Sequence, residues 1–599
     1  MRTAIPLSIA VLLTAAALMG QGRGGGQGRG AGAPAAPAAQ APTCPASGYA
    51  ARGNYGMFAQ NDDGFTAYEI ASPCIGKDVR DVAESIGMGR GKVMGVENVI
   101  GVQFKADGTM ADGNGMARLT NAEFHIAYYL PAMRMFLNGT KANGQPLKEI
   151  RVLADQYAWN ETEQGRGATA AANTFNDRLP LIKLTPFGAV WSLLEAEGHT
   201  TVTKAADGKT VLTGTSPYDG IEISMTVEDS RQHPKLGPYE PTEVIRLPVA
   251  VTAKWNGHTY GATFTDYRGD LEPNVWMIFP TTIKWTLDGK PLADLKVTFF
   301  RSNPYIVFPI PDIAKGTPAT QIAAGQLPPT AQRTGNLPLR NVQTSYAPAG
   351  RRVSPQDGYA MQLMPAGQTP RDADGHPDLS GNWTGNIPNV FQVPGLRRNG
   401  AFEADQSAMQ RGAQWNKPLY KPEYWDKVRS LDYGKVEEDP FYGCYKPLGV
   451  PRQNVPGRIV QKDRQIWLFN GVENAVRILP LDNRKRDEND YQFSTFNGMG
   501  LAHWDGDTLV VESVGFNGIS WIGWEGYFHS DKMEVTERFT RVGDLLYYNF
   551  TVNDPEVLSE PWTSYTYVRR TNPNPNRQDE APECDERDLG LLADPYLRG

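Results

Sequence analysis

Residues Gly500–Val542 read GLAHWDGDTLVVESVGFNGISWIGWEGYFHSDKMEVTERFTRV, and their alternation decides the fold class. The segment reads as a strand over 507–514, a long loop, and a second strand over 532–541. In the second strand Met533, Val535, Glu537 and Phe539 share one face. Glu534, Thr536, Arg538 and Thr540 share the other, because successive side chains of a strand point to opposite sides. One carboxylate thus lies on an apolar face. A buried carboxylate is costly unless paired or hydrogen-bonded. Glu537 is therefore a candidate for reading a ligand or for acid/base work, with a structural ion pair as the simpler role.

The same stretch holds His503 and His529, two of seven histidines, which with Asp505 or Asp507 would make a set suited to proton transfer or metal binding, and with Glu537 would do acid/base work on a ligand held in the barrel. It also holds Trp504, Trp521 and Trp524, which either cap a ligand or form the core of a long loop. Asp505-Gly506-Asp507 has a separate reading as a turn. No His/Cys spacing suits a metal, and neither a metal nor a cofactor is expected. No GxSxG elbow occurs, and GMGRG at Gly87–Gly91 follows a helix instead of opening one, so a helix stop is its reading.

Working outward, strands are expected at 380–385, 457–462, 465–470, 475–481, 544–552 and 562–570, about eight in all in the C-terminal part. Eight short antiparallel strands are enough to close a small barrel. A second strand-rich region lies upstream, at 98–105, 123–130, 148–158, 209–214, 220–228, 243–254, 259–267, 276–287 and 294–301. Asn256-Gly257 and Asp288-Gly289 are hairpin signals within it. Val79, Val82, Ala83 and Ile86 mark one helix, and a second spans about Pro186 to Glu197. His125, Trp159, Trp191 and Trp276 are candidates for a groove there, with core packing as the default.

Residues 1–20 read as a signal peptide: Arg2, an apolar run from Ala4 to Met19, and alanines at 15–17. Residues 21–43 are a Gly/Ala/Pro tether, and 317–370 a Pro/Gly-rich linker between modules at 44–316 and 371–599. A periplasmic or secreted location follows, and no other apolar run is long enough to span a membrane. An oxidising compartment suits disulfides, and the pairing that stays within modules is Cys44–Cys74 with Cys444–Cys584. The net charge of −7 over 599 residues argues against nucleic acid as a partner.

VENVIGVQFKADGTM, RVLADQYAWNE, LTPFGAVWSLLEAEG, FTDYRG and IFPTTIKWTLDGKPLADLKVTFFRSNP resemble the lipoprotein-carrier half-barrel of the LolA type, most closely the module found ahead of some exported metallo-β-lactamase-fold proteins. That resemblance implies a concave face holding an apolar ligand. The hydrolase part is absent, since no HxHxD motif occurs. Gly381-Asn382-Trp383 resembles the GxW of lipocalin-like barrels, which implies an arginine stacked on Trp383, assigned to Arg569 or Arg570. PDLSGNW, CYKPLGVPR, HWDGDTLVVESVGFN, FHSDKMEVTERF and VNDPEVLSEPWT are similar to an uncharacterised exported family of soil bacteria, which implies a compartment but no reaction.

The expectation is a mainly β protein: an antiparallel half-barrel with a few helices, then a lipocalin-like barrel. The function expected is binding of an apolar or amphipathic small molecule or lipid, without catalysis. An acid/base enzyme in the C-terminal barrel and an envelope interaction module with no cavity ligand are the alternatives.

Overall fold

Two antiparallel sheets carry the fold. The structure, a computed structural model, describes most of residues 77–86, 99–315, 367–387, 394–404 and 418–572. The expected signal peptide, the tether, nearly all of the 317–370 linker, the GMGRG segment, the four cysteines, Trp276 and Trp524 lie outside the described residues.

The first sheet begins with β1 (Gly101–Ala111), β2 (Met116–Ala127), β3 (Ala132–Thr140), β4 (Pro146–Ala154), β5 (Tyr157–Glu161) and β6 (Thr169–Ala170). It continues with β7 (Thr201–Lys204), β8 (Thr210–Thr215), β9 (Glu222–Ser230), β10 (Ile245–Trp255), β11 (His258–Arg268), β12 (Phe279–Leu287) and β13 (Lys290–Ser302). Two meanders meet at the β1–β13 pair, which leaves β6 and β7 at opposite edges. The chain between those edges must cross one face of the sheet, and it does so through helix α2 (Pro186–Glu195). Helix α1 (Lys77–Ser85) packs beside it. Phe187, Val190 and Trp191 of α2 are fully buried among residues of the long strands, with Phe104, Phe124, Phe279 and Phe300 stacked in the same core. The Trp191 indole donates to the Val99 carbonyl at 2.6 Å, and that of Trp285 to Leu184 at 3.0 Å. The face that the half-barrel resemblance assigns to an apolar ligand is thus occupied by the protein's own side chains.

The second sheet holds β14 (Gly381–Ile387), β17 (Arg458–Lys462), β18 (Gln465–Asn470), β19 (Ala475–Pro480), β20 (Met499–Asp505), β21 (Thr508–Val514), β22 (Glu534–Val542), β23 (Leu545–Asn553), β24 (Trp562–Thr563) and β25 (Tyr567–Thr571). A separate hairpin joins β15 (Pro394–Leu396) and β16 (Phe402–Ala404). The order β19-β18-β17-β14-β25-β23-β22-β21-β20, with β24 beside β23, leaves sequence neighbours β19 and β20 at the two ends. They come together at Gly500, where a Cβ would lie 2.6 Å from a Leu479 methyl and would push that side chain aside. The result is a nearly closed barrel. Strand β20, not expected from the sequence, is the edge that makes closure possible.

The two sheets share a buried junction. Leaving β13, Tyr305 and Val307 enter the core of the second sheet, while Ile306 and Phe308 enter a cluster with Ala132, Val152 and Trp159 on the first. Two backbone carbonyls of this extended piece are met by buried guanidinium groups. Arg429 of helix α3 (Trp425–Leu431) donates to the Tyr305 carbonyl at 3.0 Å, and Arg134 of β3 to that of Val307 at 3.0 Å. Arg134 also holds Glu161 through two bonds of 3.0 and 3.1 Å, and the Trp425 ring covers its guanidinium at 5.0 Å. Gly165 lies under that ring, where a Cβ would fall 2.6 Å from it. This packing explains why β3 has no readable alternation: Met133, Arg134 and Met135 are all buried because both faces of the strand are covered.

His125, fully buried on β2, donates from Nε2 to Glu123 at 2.6 Å. Burial, then the charge of Arg429, push its pKa from 6.5 down to about 4, against the pull of Glu123. Glu123 is raised by partial burial, but the His125 and Gln103 hydrogen bonds carry it down to about 2.

Two outcomes are expected. Trp425→Ala should cost about 3–5 kcal/mol in urea unfolding, the range for emptying a buried tryptophan site. The neutral form of His125 is the folded one, so its stabilisation is complete above pH 6.5 and is lost as pH falls towards 4. The loss is on the order of 3 kcal/mol, and His125→Gln should flatten the stability curve across that window.

Candidate functional site

Strand register sorts the side chains of the second sheet. Glu537 stands opposite Val511 and Phe550, and Val511 opposite Ala502, so all four face the barrel interior. Met533, Val535 and Phe539 share that face with Glu537, as the alternation predicts, and each is at most 2% exposed. The interior is packed by Trp383, Ile466, Leu468, Leu479, Leu509 and Tyr548, among others. Within it Glu537 receives two hydrogen bonds from Arg477 of β19, at 3.0 and 2.6 Å, and one from the Tyr548 hydroxyl at 3.1 Å. Arg477 also donates to Ser513 Oγ at 3.3 Å. This is a bidentate ion pair, both partners under 10% exposed, and it ties an end strand of the sheet to its other half.

His503, Val510 opposite it, and Leu501 face the other side of β20, away from Glu537. Asp505 is held by Arg538 at 2.8 Å, and Asp507 by Arg371 at 2.9 and 2.7 Å. The set of His503, His529, Glu537 and an aspartate expected from the sequence is therefore not assembled. Each member has gone to a different network or face, because consecutive strand residues point oppositely and each acid has met an arginine. Among the described residues no group of three or more His, Cys, Asp or Glu is placed to hold a metal ion.

Trp504 stacks flat on His376, 4.7 Å between centroids, and packs at the edge of the core. Trp521 is buried in the core with Phe516, Tyr527 and Phe528 of the same loop. The loop folds back on itself, Ile522 donating to Tyr527 at 2.7 Å. Trp383 is buried and donates to the Leu379 carbonyl at 3.1 Å. The guanidinium stacked on it, at 5.0 Å, is that of Arg541 at the end of β22, a residue that the GxW resemblance had not picked out. Arg570 instead pairs with Asp544, and Arg569 is half-buried on β25. Reading from the last strand failed because β22, not β25, carries its arginine past the closed end.

His529 is buried in that loop. Its Nδ1–H donates to the Ser530 carbonyl at 2.8 Å, and a carbonyl can only accept. Nε2 therefore carries the lone pair and accepts from the Ser520 hydroxyl at 2.9 Å. Burial lowers the His529 pKa, against the hydrogen bond to Ser530 and the charge of Asp554.

A second feature lies on the outside of the barrel. Because Arg477 points in, its neighbours Val476 and Ile478 point out, 48% and 53% exposed. Cross-strand register places Phe469 and Arg458 beside Val476, and Trp467 and Val460 beside Ile478. Five apolar side chains on three adjacent strands thus form one outer face. Arg458 and Lys462 stand at its two ends on β17, and Arg458 lies 6.0 Å from the Phe469 ring. The sequence signal for this was the acid at Glu537: a buried carboxylate demands a cation, and Arg477 lies inside the otherwise apolar strand β19.

No protein-family model matches the chain, and no curated protein matches it.

Breaking the interior pair should be costly. Arg477→Met leaves Glu537 without its cation and should lose about 3–5 kcal/mol of stability. Arg477→Met with Glu537→Leu should recover most of it, since an apolar pair of similar volume replaces two buried charges. Chemical denaturation of the two variants checks this.

Proposed function

We propose that the protein is exported to the cell envelope and binds an anionic amphiphilic lipid on the outer face formed by β17, β18 and β19. The observation that carries this is the inverted strand β19, which turns Arg477 inward and leaves Val476 and Ile478 exposed next to Trp467 and Phe469. Scattered apolar surface residues are ordinary, but a contiguous apolar face marks an interaction site. Its basic ends, Arg458 and Lys462, with Arg464 and one acid, Asp463, in the exposed turn between β17 and β18, favour a negatively charged partner. Each basic residue near an anionic surface contributes about 1 kcal/mol. The aromatic pair suits the boundary between headgroups and chains. An internal ligand is less well supported, since both sheets fill their interiors with their own side chains. The N-terminal segment of the sequence supports export, and the half-barrel and lipocalin-like resemblances suit lipid handling as a general role.

Co-sedimentation with phosphatidylcholine vesicles, with and without phosphatidylglycerol, tests the reading. Binding should need the anionic lipid and weaken in high salt. Trp467→Ser with Ile478→Ser should lower it by about tenfold, the loss of some 1.4 kcal/mol of apolar contact. Equal pelleting of the variant and the unaltered chain, or capture of a protein partner by the same face with no vesicle binding, would remove this reading.

A further inference from the structure

Lys183 and Asp219 form an ion pair in the interior of the first half. Lys183 Nζ lies 3.1 Å from Asp219 Oδ2, and the two side chains are 2% and 1% exposed. Among the described residues Lys183 is the only buried lysine. It ends the short turn Leu179–Lys183 that leads towards α2, and its neighbours Ile182 and Leu184 are fully buried. Asp219 stands in the connection from β8 to β9, two residues before the fully buried Ile221. The pair thus joins the segment that crosses the sheet to a hairpin beside the β7 edge.

Both partners sit on backbone that is fixed independently of the pair. The Leu184 carbonyl accepts from the Trp285 indole at 3.0 Å, and the Thr185 hydroxyl meets that of Tyr128 at 2.8 Å and accepts the Gly188 N–H at 3.0 Å. On the other side the Ser216 N–H donates to Ile221 at 3.1 Å, and the Ser216 carbonyl accepts from Gly220 at 2.9 Å. The two carboxylate oxygens of Asp219 also have different surroundings. Oδ1 accepts the Ile221 N–H at 3.1 Å, while Oδ2 faces the ammonium group. A backbone donor on Oδ1 stabilises negative charge that develops there when a nucleophile attacks the carboxyl carbon. Two charges held in a buried core carry a desolvation penalty, and an amide between them removes both. Reacting groups fixed side by side reach effective concentrations of about 10⁵–10⁸ M.

We propose that Lys183 and Asp219 condense into an intramolecular amide that pins the crossing segment to the β8–β9 hairpin. One ammonium proton passes from Nζ to Oδ2, which leaves a neutral amine beside a carboxylic acid. The Nζ lone pair forms the bond to Cγ, and the electron pair of the C–Oδ1 double bond moves onto Oδ1, where the Ile221 N–H holds it. A second proton passes from Nζ to Oδ2. The double bond to Oδ1 re-forms as the Cγ–Oδ2 bond breaks, and Oδ2 departs as water. An ammonium and a carboxylate thus become one amide and one water, with no redox change and no further reactant. The bond lies in the first half of the chain, away from the lipid-docking face, and the inference does not rest on that reading.

The purified full chain is denatured, reduced and digested with trypsin, and its peptides are mapped by mass. Trypsin does not cut after an acylated lysine, so residues 179–204 should appear joined to residues 210–231, lighter by one water than the two peptides apart. Fragmentation of the joined species should place the link at Lys183 and Asp219. In Asp219→Ala the joined species should vanish, and residues 179–183 should be released as a free peptide. Full recovery of residues 179–183 and 210–231 as separate, unmodified peptides from the unaltered chain overturns the proposal and leaves a buried ion pair only. A joined species that persists in Asp219→Ala overturns it as well. The first measurement needs no variant, so the test stands even where Asp219→Ala does not fold.

Discussion

The C-terminal barrel depends on one buried ion pair. Arg477 and Glu537 sit on strands far apart in the sheet order, and their two short hydrogen bonds span the interior. Neither charge has water to fall back on, so each requires the other. That requirement fixes which way β19 faces. Once Arg477 is inside, Val476 and Ile478 must be outside, because a strand alternates without exception over so short a length. The exposed apolar face, the filled interior and the approach of β19 to Gly500 follow from the same orientation.

The junction between the sheets obeys similar logic. Tyr305, Ile306, Val307 and Phe308 alternate between two cores, so a single extended piece is buried on both sides. Its carbonyls would be orphaned there, and Arg134 and Arg429 satisfy two of them. Tyr305 reaches further, donating to Pro418 and stacking edge-on to Tyr527 of the loop that holds His529. The loop that holds His529 is therefore packed against the piece of chain that leaves the first sheet. Within the described residues the two sheets pack against each other through this piece.

Much of the architecture was legible. The alternation in β22, the hairpin turns at Asn256-Gly257 and Asp288-Gly289, and the helices at α1 and α2 are local patterns, and local patterns survive folding. Strands β3 and β20 were not legible, for opposite reasons. In β3 both faces are covered and the periodicity disappears. In β20, Gly500 and His503 break the apolar rhythm of a strand that is short and lies at the edge.

The sequence by itself determined that the chain is mainly β, that Glu537 would lie among apolar side chains, and that Trp521 and His529 share one long loop. Each of these depends on residues near one another in the chain. Only the tertiary structure decided what Glu537 meets, which arginine covers Trp383, and where His503 points relative to Glu537. Those outcomes depend on strand order and barrel closure, which bring together residues such as Arg477 and Glu537 that no local spacing relates.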